Sequence, residues 1–483
     1  MNFRCLTFVV SLLAISPACA QWQVPVHSVP IGLGGGNTGF NSAAPGTAGQ
    51  PFTSNGASTD PSFQALANGG MAQMPANTVK CNPTASAAIP LDCTPSQATV
   101  TLSKTAAYSP VSQDCGASFP LTGGRYTVTV ATAGSYANPC TFVFKNVETE
   151  GTSKTISVAG VPTILYPGQS LLASGNGSSW ATAVYDRWKL TGAARFYVRP
   201  DGSDSCDGLT NAAGSALPAS CAVQTANRAA LLIGSSVDVN SFGGGSATIQ
   251  HTCGSPPCTI STAGQLLSIV GGTFVGGPIS YLGDCGTPTN VKISPSTVVN
   301  ADIQITFPTG GGVISVGGFE LAGGTNANYG MYVSGGAQVI VSCPMQIDAI
   351  SSTPTGLYPA GIGIGSSSGA YVYLGATIFY TASIGAALSV TNQGHMENTG
   401  ANTINTSNTP AWGSGFIFAA WGGSASFGGM LYNGTGATGN RCIISKGGVV
   451  TSNGGIASMP GSVACSVAAG TVHDAAGDRG NVD

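Results

Sequence analysis

Met331-Tyr332-Val333-Ser334-Gly335-Gly336-Ala337-Gln338-Val339-Ile340-Val341 sets a short β-forming run, a double-glycine corner and a second short run side by side. The same grammar recurs at Leu266 to Val270, Val313 to Val316, Tyr371 to Tyr380 and Phe416 to Ala420. Corners at Gly271-Gly272, Gly317-Gly318, Gly369, Gly394 and Gly422-Gly423 separate these runs. From Gly336 through Gly369 and Gly394 to Gly423 the steps are 33, 25 and 29 residues. Steps of that size fit the coils of a parallel β-helix with loops of variable length. Glycine admits the backbone angles of a tight corner, and small inward residues can stack between coils. Sandwich domains would also give short strands, so the solenoid is the weightier of two readings.

Composition points the same way. Only 7% of residues are charged, while 71 of 483 are glycine. Ordinary globular domains carry about 25% charged residues. Helices supported by i,i+4 ion pairs need such residues, so their scarcity favours stacked strands and turns. The formal net charge is −3. No basic patch for nucleic acid and no polybasic membrane-binding stretch stands out, so a nucleic-acid partner is not expected.

The N-terminus predicts export. Arg4 precedes the apolar run Leu6 to Ile15, and Ala18-Cys19-Ala20 offers small residues for cleavage, giving a signal peptide over 1–20. The run is too short to span a bilayer, and Ser16-Pro17-Ala18-Cys19 lacks the leucine of a lipoprotein signal. An uncleaved anchor is the alternative. No later segment reads as transmembrane, so the expected location is secreted, cell-surface or periplasmic. Twelve cysteines remain after cleavage, and several lie close in sequence: Cys81/Cys93, Cys115/Cys140, Cys206/Cys221, Cys253/Cys258 and Cys442/Cys465. Cys285 and Cys343 are left to pair across adjacent coils. In an oxidising compartment these read as disulfides. A zinc site is the rival, but no CxxC pair or Cys/His cluster occurs.

Residues 21–98 are rich in Gly, Pro, Ala and Asn, with few large apolar side chains to offset chain entropy. Within them, residues 34–66 read GGGNTGFNSAAPGTAGQPFTSNGASTDPSFQAL. This run resembles the stalk repeat of phage tail fibres and prophage tail proteins. That resemblance covers about 60 residues and implies a homotrimer wound through this segment. Phe63 stands where the family carries Trp and Cys81 where it carries Gly, and a signal peptide is unusual for a phage structural protein. A flexible linker is the alternative reading.

Residues 99–194 alternate apolar and polar at Arg125 to Val130, Thr141 to Phe144 and Lys154 to Val158, the period of half-buried strands. They predict a small β-sandwich-like module. Trp180 and Trp188 close it, either as core or as a sugar-stacking platform. From 195 onward the chain reads Phe196-Tyr197-Val198, then Asp201-Gly202-Ser203-Asp204-Ser205-Cys206-Asp207-Gly208-Leu209, then an amphipathic helix over 222–232. This succession resembles the start of pectate-lyase-like proteins, tailspikes among them. The resemblance implies a right-handed parallel β-helix over 195–470, capped by that helix; the polar end of the chain reads as a disordered tail over 471–483.

Few residues can carry chemistry. Ten charged residues lie between 210 and 470. Acid–base cleavage of a glycan needs two carboxylates in one groove, roughly 5 to 9.5 Å apart, and elimination needs clustered acids for calcium plus a base. The catalytic candidates are Glu320, Asp348, His395 and Glu397, with His395 and Glu397 sharing one strand face by their i,i+2 spacing. Asp201, Asp204 and Asp207 are candidates for calcium in a turn, although the glycine is not where an EF-hand loop requires it; no other cofactor is expected. The sequence therefore predicts an exported, fibre-like adhesive protein that presents a β-helix surface to carbohydrate without catalysis. A tailspike-type polysaccharide hydrolase or lyase is the alternative.

Overall fold

The computed structural model describes residues 101–474 apart from 137–138, 150, 215–219, 240–244, 263–266, 271–278, 307–312, 349, 351–360, 399 and 453–454. It also describes the backbones of short strands before residue 94 and of 481–482. The signal peptide expected over 1–20 and the Cys81/Cys93 pairing lie outside the described side chains. The chain forms two compact units, 1–98 and 99–483. In the first, Val29–Gly32 pairs antiparallel with Phe40–Ala43, Phe52–Thr53 with Ser62–Phe63, and Val79–Cys81 with Leu91–Cys93.

The second unit is mostly β, and Ala226–Ser236 is the one α-helix among its described residues. It opens with a three-stranded and a four-stranded sheet between Ser118 and Tyr185. Phe119, Phe142, Phe144 and Leu171 from one meet Val128, Ile156 and Leu165 from the other in a common core.

From Ala193 the chain winds through three long sheets of 11, 7 and 8 strands. Successive strands visit the sheets in turn, and each pairs parallel with its equivalent in the next coil, an arrangement consistent with a parallel β-helix. Alternation along each strand decides what faces inward. In the 11-stranded sheet Ile279, Ile314, Val339, Val372, Met396, Ala425 and Val450 fall in register and are all buried. Each Ile, Val or Met of the column contributes about 1.5–3 kcal/mol of burial, and the column gives each of these coils an apolar neighbour in the next. Close approach explains several of the glycines. A Cβ on Gly394, Gly423 or Gly448 would stand 2.3–2.4 Å from the carbonyl oxygen of Ser366, Val390 or Ala419 in the preceding coil.

Three expectations change. The helix begins four residues later than the apolar spacing suggests, because Thr225 Oγ1 accepts from Arg228 N–H, and Asp204 Oδ1 accepts from the Gln224 and Thr225 N–H groups. Those contacts hold Gln224 and Thr225 outside the helix as its cap. The boundary near 194 is not a division between compact units. Tyr166 and Trp188 pack with Phe196 and the helix in the core that runs through the coils. Finally, the chain does not fray at 471. Gly470–Asp474 pairs parallel with Gly448–Ser452, and Asn481–Val482 pairs back on Gly470–Thr471.

Among the described residues five disulfides form: Cys115–Cys140, Cys206–Cys221, Cys253–Cys258, Cys285–Cys343 and Cys442–Cys465. They are consistent with an extracellular, oxidising location. Among the described residues no helix is long and apolar enough to cross a membrane.

Candidate functional site

The outward face of the 11-stranded sheet carries an aromatic and polar cluster on three successive coils. Tyr371-Val372-Tyr373-Leu374 turns Val372 and Leu374 into the core, which leaves both tyrosines outside. Tyr371 is 42% exposed. Its ring lies 6.4 Å from that of Tyr373, at an interplanar angle of 17°. One coil on, His395 is in register with Tyr371 and Glu397 with Tyr373; a further coil brings Ser424 and Ser426 into the same two rows. The His395 ring is 5.3 Å from the Tyr371 ring. It is held at both nitrogens: Nδ1 is 2.7 Å from Ser424 Oγ, and Nε2 is 3.2 Å from Glu397 Oε2. Flat rings in a fixed row offer faces for the C–H surface of a sugar, and the flanking polar groups offer partners for its hydroxyls.

Glu320 and Asp348 lie on a different sheet. Lys292 and Glu320 are in register in the 7-stranded sheet, one coil apart. Lys292 Nζ is 2.5 Å from Glu320 Oε1 and 3.7 Å from Asp348 Oδ2. Asp348 Oδ1 also accepts from Thr381 Oγ1 at 3.1 Å. One ammonium thus bridges two carboxylates of consecutive coils. Burial works against the charge on Lys292, but the two acids outweigh it and raise its pKa above the ordinary lysine range. The four catalytic candidates are therefore split into two pairs, Glu320 with Asp348 around Lys292 and His395 with Glu397.

The other candidates are committed elsewhere. Trp188 is 5% exposed and stacks on Tyr166, so it has no face free for a sugar. Trp180 donates from Nε1 to the Ala131 carbonyl and packs its ring against Tyr136 and Phe142. Of the three turn aspartates, Asp201 is paired with Arg199, Asp204 caps the helix, and Asp207 is buried against Arg125 and Ser153. Among the described residues no group of three or more His, Cys, Asp or Glu is arranged to hold a metal ion.

Tyr371 and Tyr373 were within reach of the sequence: in a Tyr-Val-Tyr-Leu strand with an aliphatic core face, both tyrosines must point out. Lys292 was not. Its meeting with Glu320 depends on a coil length of 28 residues that no local pattern sets. Comparison with protein families, with curated proteins and with solved structures finds no match to this chain.

Proposed function

We propose that this chain is an exported, fibre-like adhesive protein that presents the outer face of a right-handed parallel β-helix to glycans, without catalysis. The observation that carries this reading is the Tyr371–Tyr373 pair beside a His395 ring fixed from both sides. Stacking faces with pinned polar neighbours suit recognition of sugars, whose two sides are apolar and hydroxylated. The tail-fibre-like residues 34–66 make the N-terminal segment the assembly element, as a homotrimer, and the disulfides suit a protein working outside the cytoplasm.

A second reading is supported by one contact. Lys292 between Glu320 and Asp348 sets a potential base beside two acids, as a polysaccharide depolymerase would need. Both readings are tested on a glycan array, with reducing-end release measured on every glycan bound. Binding without release, lost in a Tyr371→Ala/Tyr373→Ala double variant, supports adhesion. Release that disappears in Glu320→Gln supports the enzyme. Light scattering of the full mature chain tests the trimer, and a clean monomer ends that part of the proposal.

A further inference from the structure

A separate cleft of about 420 Å³ lies between the edge of the three-stranded sheet and the helix Ala226–Ser236. It is within the roughly 300–1,000 Å³ range of small-molecule sites. Arg228 stands in its wall, and none of the described carboxylates pairs with it. Its Nε is buried and has no hydrogen-bond partner among the described residues. Guanidinium is a planar fork built for bidentate carboxylate recognition, and burying one of its donors unpaired is unfavourable. The cleft thus presents a guanidinium with an unsatisfied donor, which an anionic acceptor matches in charge and geometry.

The remaining lining narrows the ligand. Asp186, exposed and accepting from Ser170 Oγ at 3.3 Å, also faces the cleft. A purely anionic guest would be repelled by this carboxylate, whereas a guest with hydroxyls would donate to it. Ser205 adds a further polar group, whereas the Gln169 amide is already engaged by the Tyr166 N–H and the Asp186 and Ser236 carbonyls. Val184, 44% exposed, and Leu232 give an apolar side for C–H groups. We infer that this cleft binds an acidic sugar, its carboxylate on the Arg228 guanidinium and its hydroxyls on Asp186 and the neighbouring polar groups. The site is distinct from the tyrosine face, and its assignment to a sugar rests on the glycan reading above.

The test is calorimetry or ligand-observed NMR on the full mature chain with D-galacturonate, D-galactose, acetate and inorganic phosphate. Galacturonate is expected to bind at least about tenfold more tightly than galactose, the scale of a charge-assisted bidentate contact, and more tightly than acetate, which lacks the hydroxyls and the C–H face. Arg228→Met removes at least tenfold of that affinity. Arg228→Lys keeps the charge without the fork and retains part of it. Tyr371→Ala/Tyr373→Ala leaves galacturonate binding intact. Equal binding of galactose, acetate or phosphate overturns the assignment, as does unchanged affinity in Arg228→Met. Loss of galacturonate binding in the tyrosine double variant alone would move the ligand to the other face, which ends this inference but not the adhesive reading.

Discussion

The disulfide between Cys285 and Cys343 joins two coils that are not neighbours. Cys285 follows Ile279–Leu282 and Cys343 follows Gln338–Val341, with Val313–Gly317 paired between them in the same sheet. The cysteines were expected to bridge adjacent coils. The intervening corner, Gly317-Gly318, permits the longer step because it carries no side chains. A Cβ on Gly317 would stand 2.7 Å from Cys343 Cβ, and one on Gly318 2.9 Å from the backbone of Asp284 and Cys285. Gly318 also adopts a φ of 81°, which a side chain disfavours.

That relationship fixes the order of two effects. Gly317→Ala forces the corner against the Cys343 backbone and should destabilise the chain by about 1–3 kcal/mol, as overpacking does. Cys285→Ser/Cys343→Ser opens a loop of 58 residues and should cost about 4 kcal/mol by loop closure. In the background without the disulfide, Gly317→Ala should cost less, since the side chain at position 343 is no longer tied to position 285 and can retreat. Urea unfolding of the four proteins checks this, and strict additivity would refute the coupling.

Removing Lys292 should hurt more than neutralising its partner. Glu320 is only 7% exposed, so Lys292→Met leaves a nearly buried carboxylate without its donor, at about 1–3 kcal/mol. Glu320→Gln leaves Lys292, whose side chain is one-third exposed, able to reach water and Asp348. The double variant Lys292→Met/Glu320→Gln should recover part of the single-variant loss. Because the Lys292 pKa is raised, the pair's contribution is complete at neutral pH and fades as pH climbs past the unfolded lysine value of about 10.4. A wild-type minus Lys292→Met stability difference that shrinks between neutrality and pH 9 would contradict this.

How much of this was readable follows from the range over which each feature is set. The glycine steps from 336 to 423 report a local demand, a backbone that must approach the previous coil, and Gly394 and Gly423 meet that demand directly. Period-2 alternation likewise put His395 and Glu397 on one strand face, and the structure turns Met396 between them into the core. The helix start escaped because the apolar spacing from Val223 is compatible with helix, and only Asp204, some twenty residues earlier in sequence, holds Gln224 and Thr225 out of it. The separation of the acids onto two sheets escaped for a related reason. Which sheet Glu320 or Glu397 joins depends on the accumulated length of every preceding turn.

The tyrosine row should behave as a surface and not as a scaffold. Tyr371 is substantially exposed, and its strand is anchored by Val372 and Leu374. Tyr371→Ala should therefore change stability by less than about 0.5 kcal/mol. Binding to any glycan captured by the face should fall by roughly tenfold or more, since stacked aromatic contacts are worth about 0.5–1.5 kcal/mol beyond their buried area. Ser424→Ala frees the His395 ring at one nitrogen and should weaken binding less. A large drop in thermal midpoint for Tyr371→Ala would assign the ring to packing.

Two buried groups of opposite sign should mask each other in the pH profile. His251 is 1% exposed, its ring nitrogens have no hydrogen-bond partner among the described residues, and burial pulls its pKa down to about 3. The unfolded chain takes up that proton near pH 6.5, so stability falls with acid by about 1.4 kcal/mol per pH unit below that value until the folded histidine titrates. Asp302 is also fully buried, and burial raises its pKa well above the carboxylate range despite the opposing pull of the Gly323 amide. The unfolded aspartate loses its proton near pH 3.9 while the folded one keeps it, so stability falls as pH rises above 3.9. Above about pH 4 the two slopes oppose each other, the histidine's reaching up to about pH 6.5. His251→Phe, which preserves packing against Tyr281 and Phe319, should leave a protein that weakens with rising pH across that window. Asp302→Asn should leave one that strengthens. Urea midpoints at pH 4, 5, 6 and 7, taken as wild type minus variant, isolate each group; parallel profiles for all three proteins would mean that neither residue titrates as its burial requires.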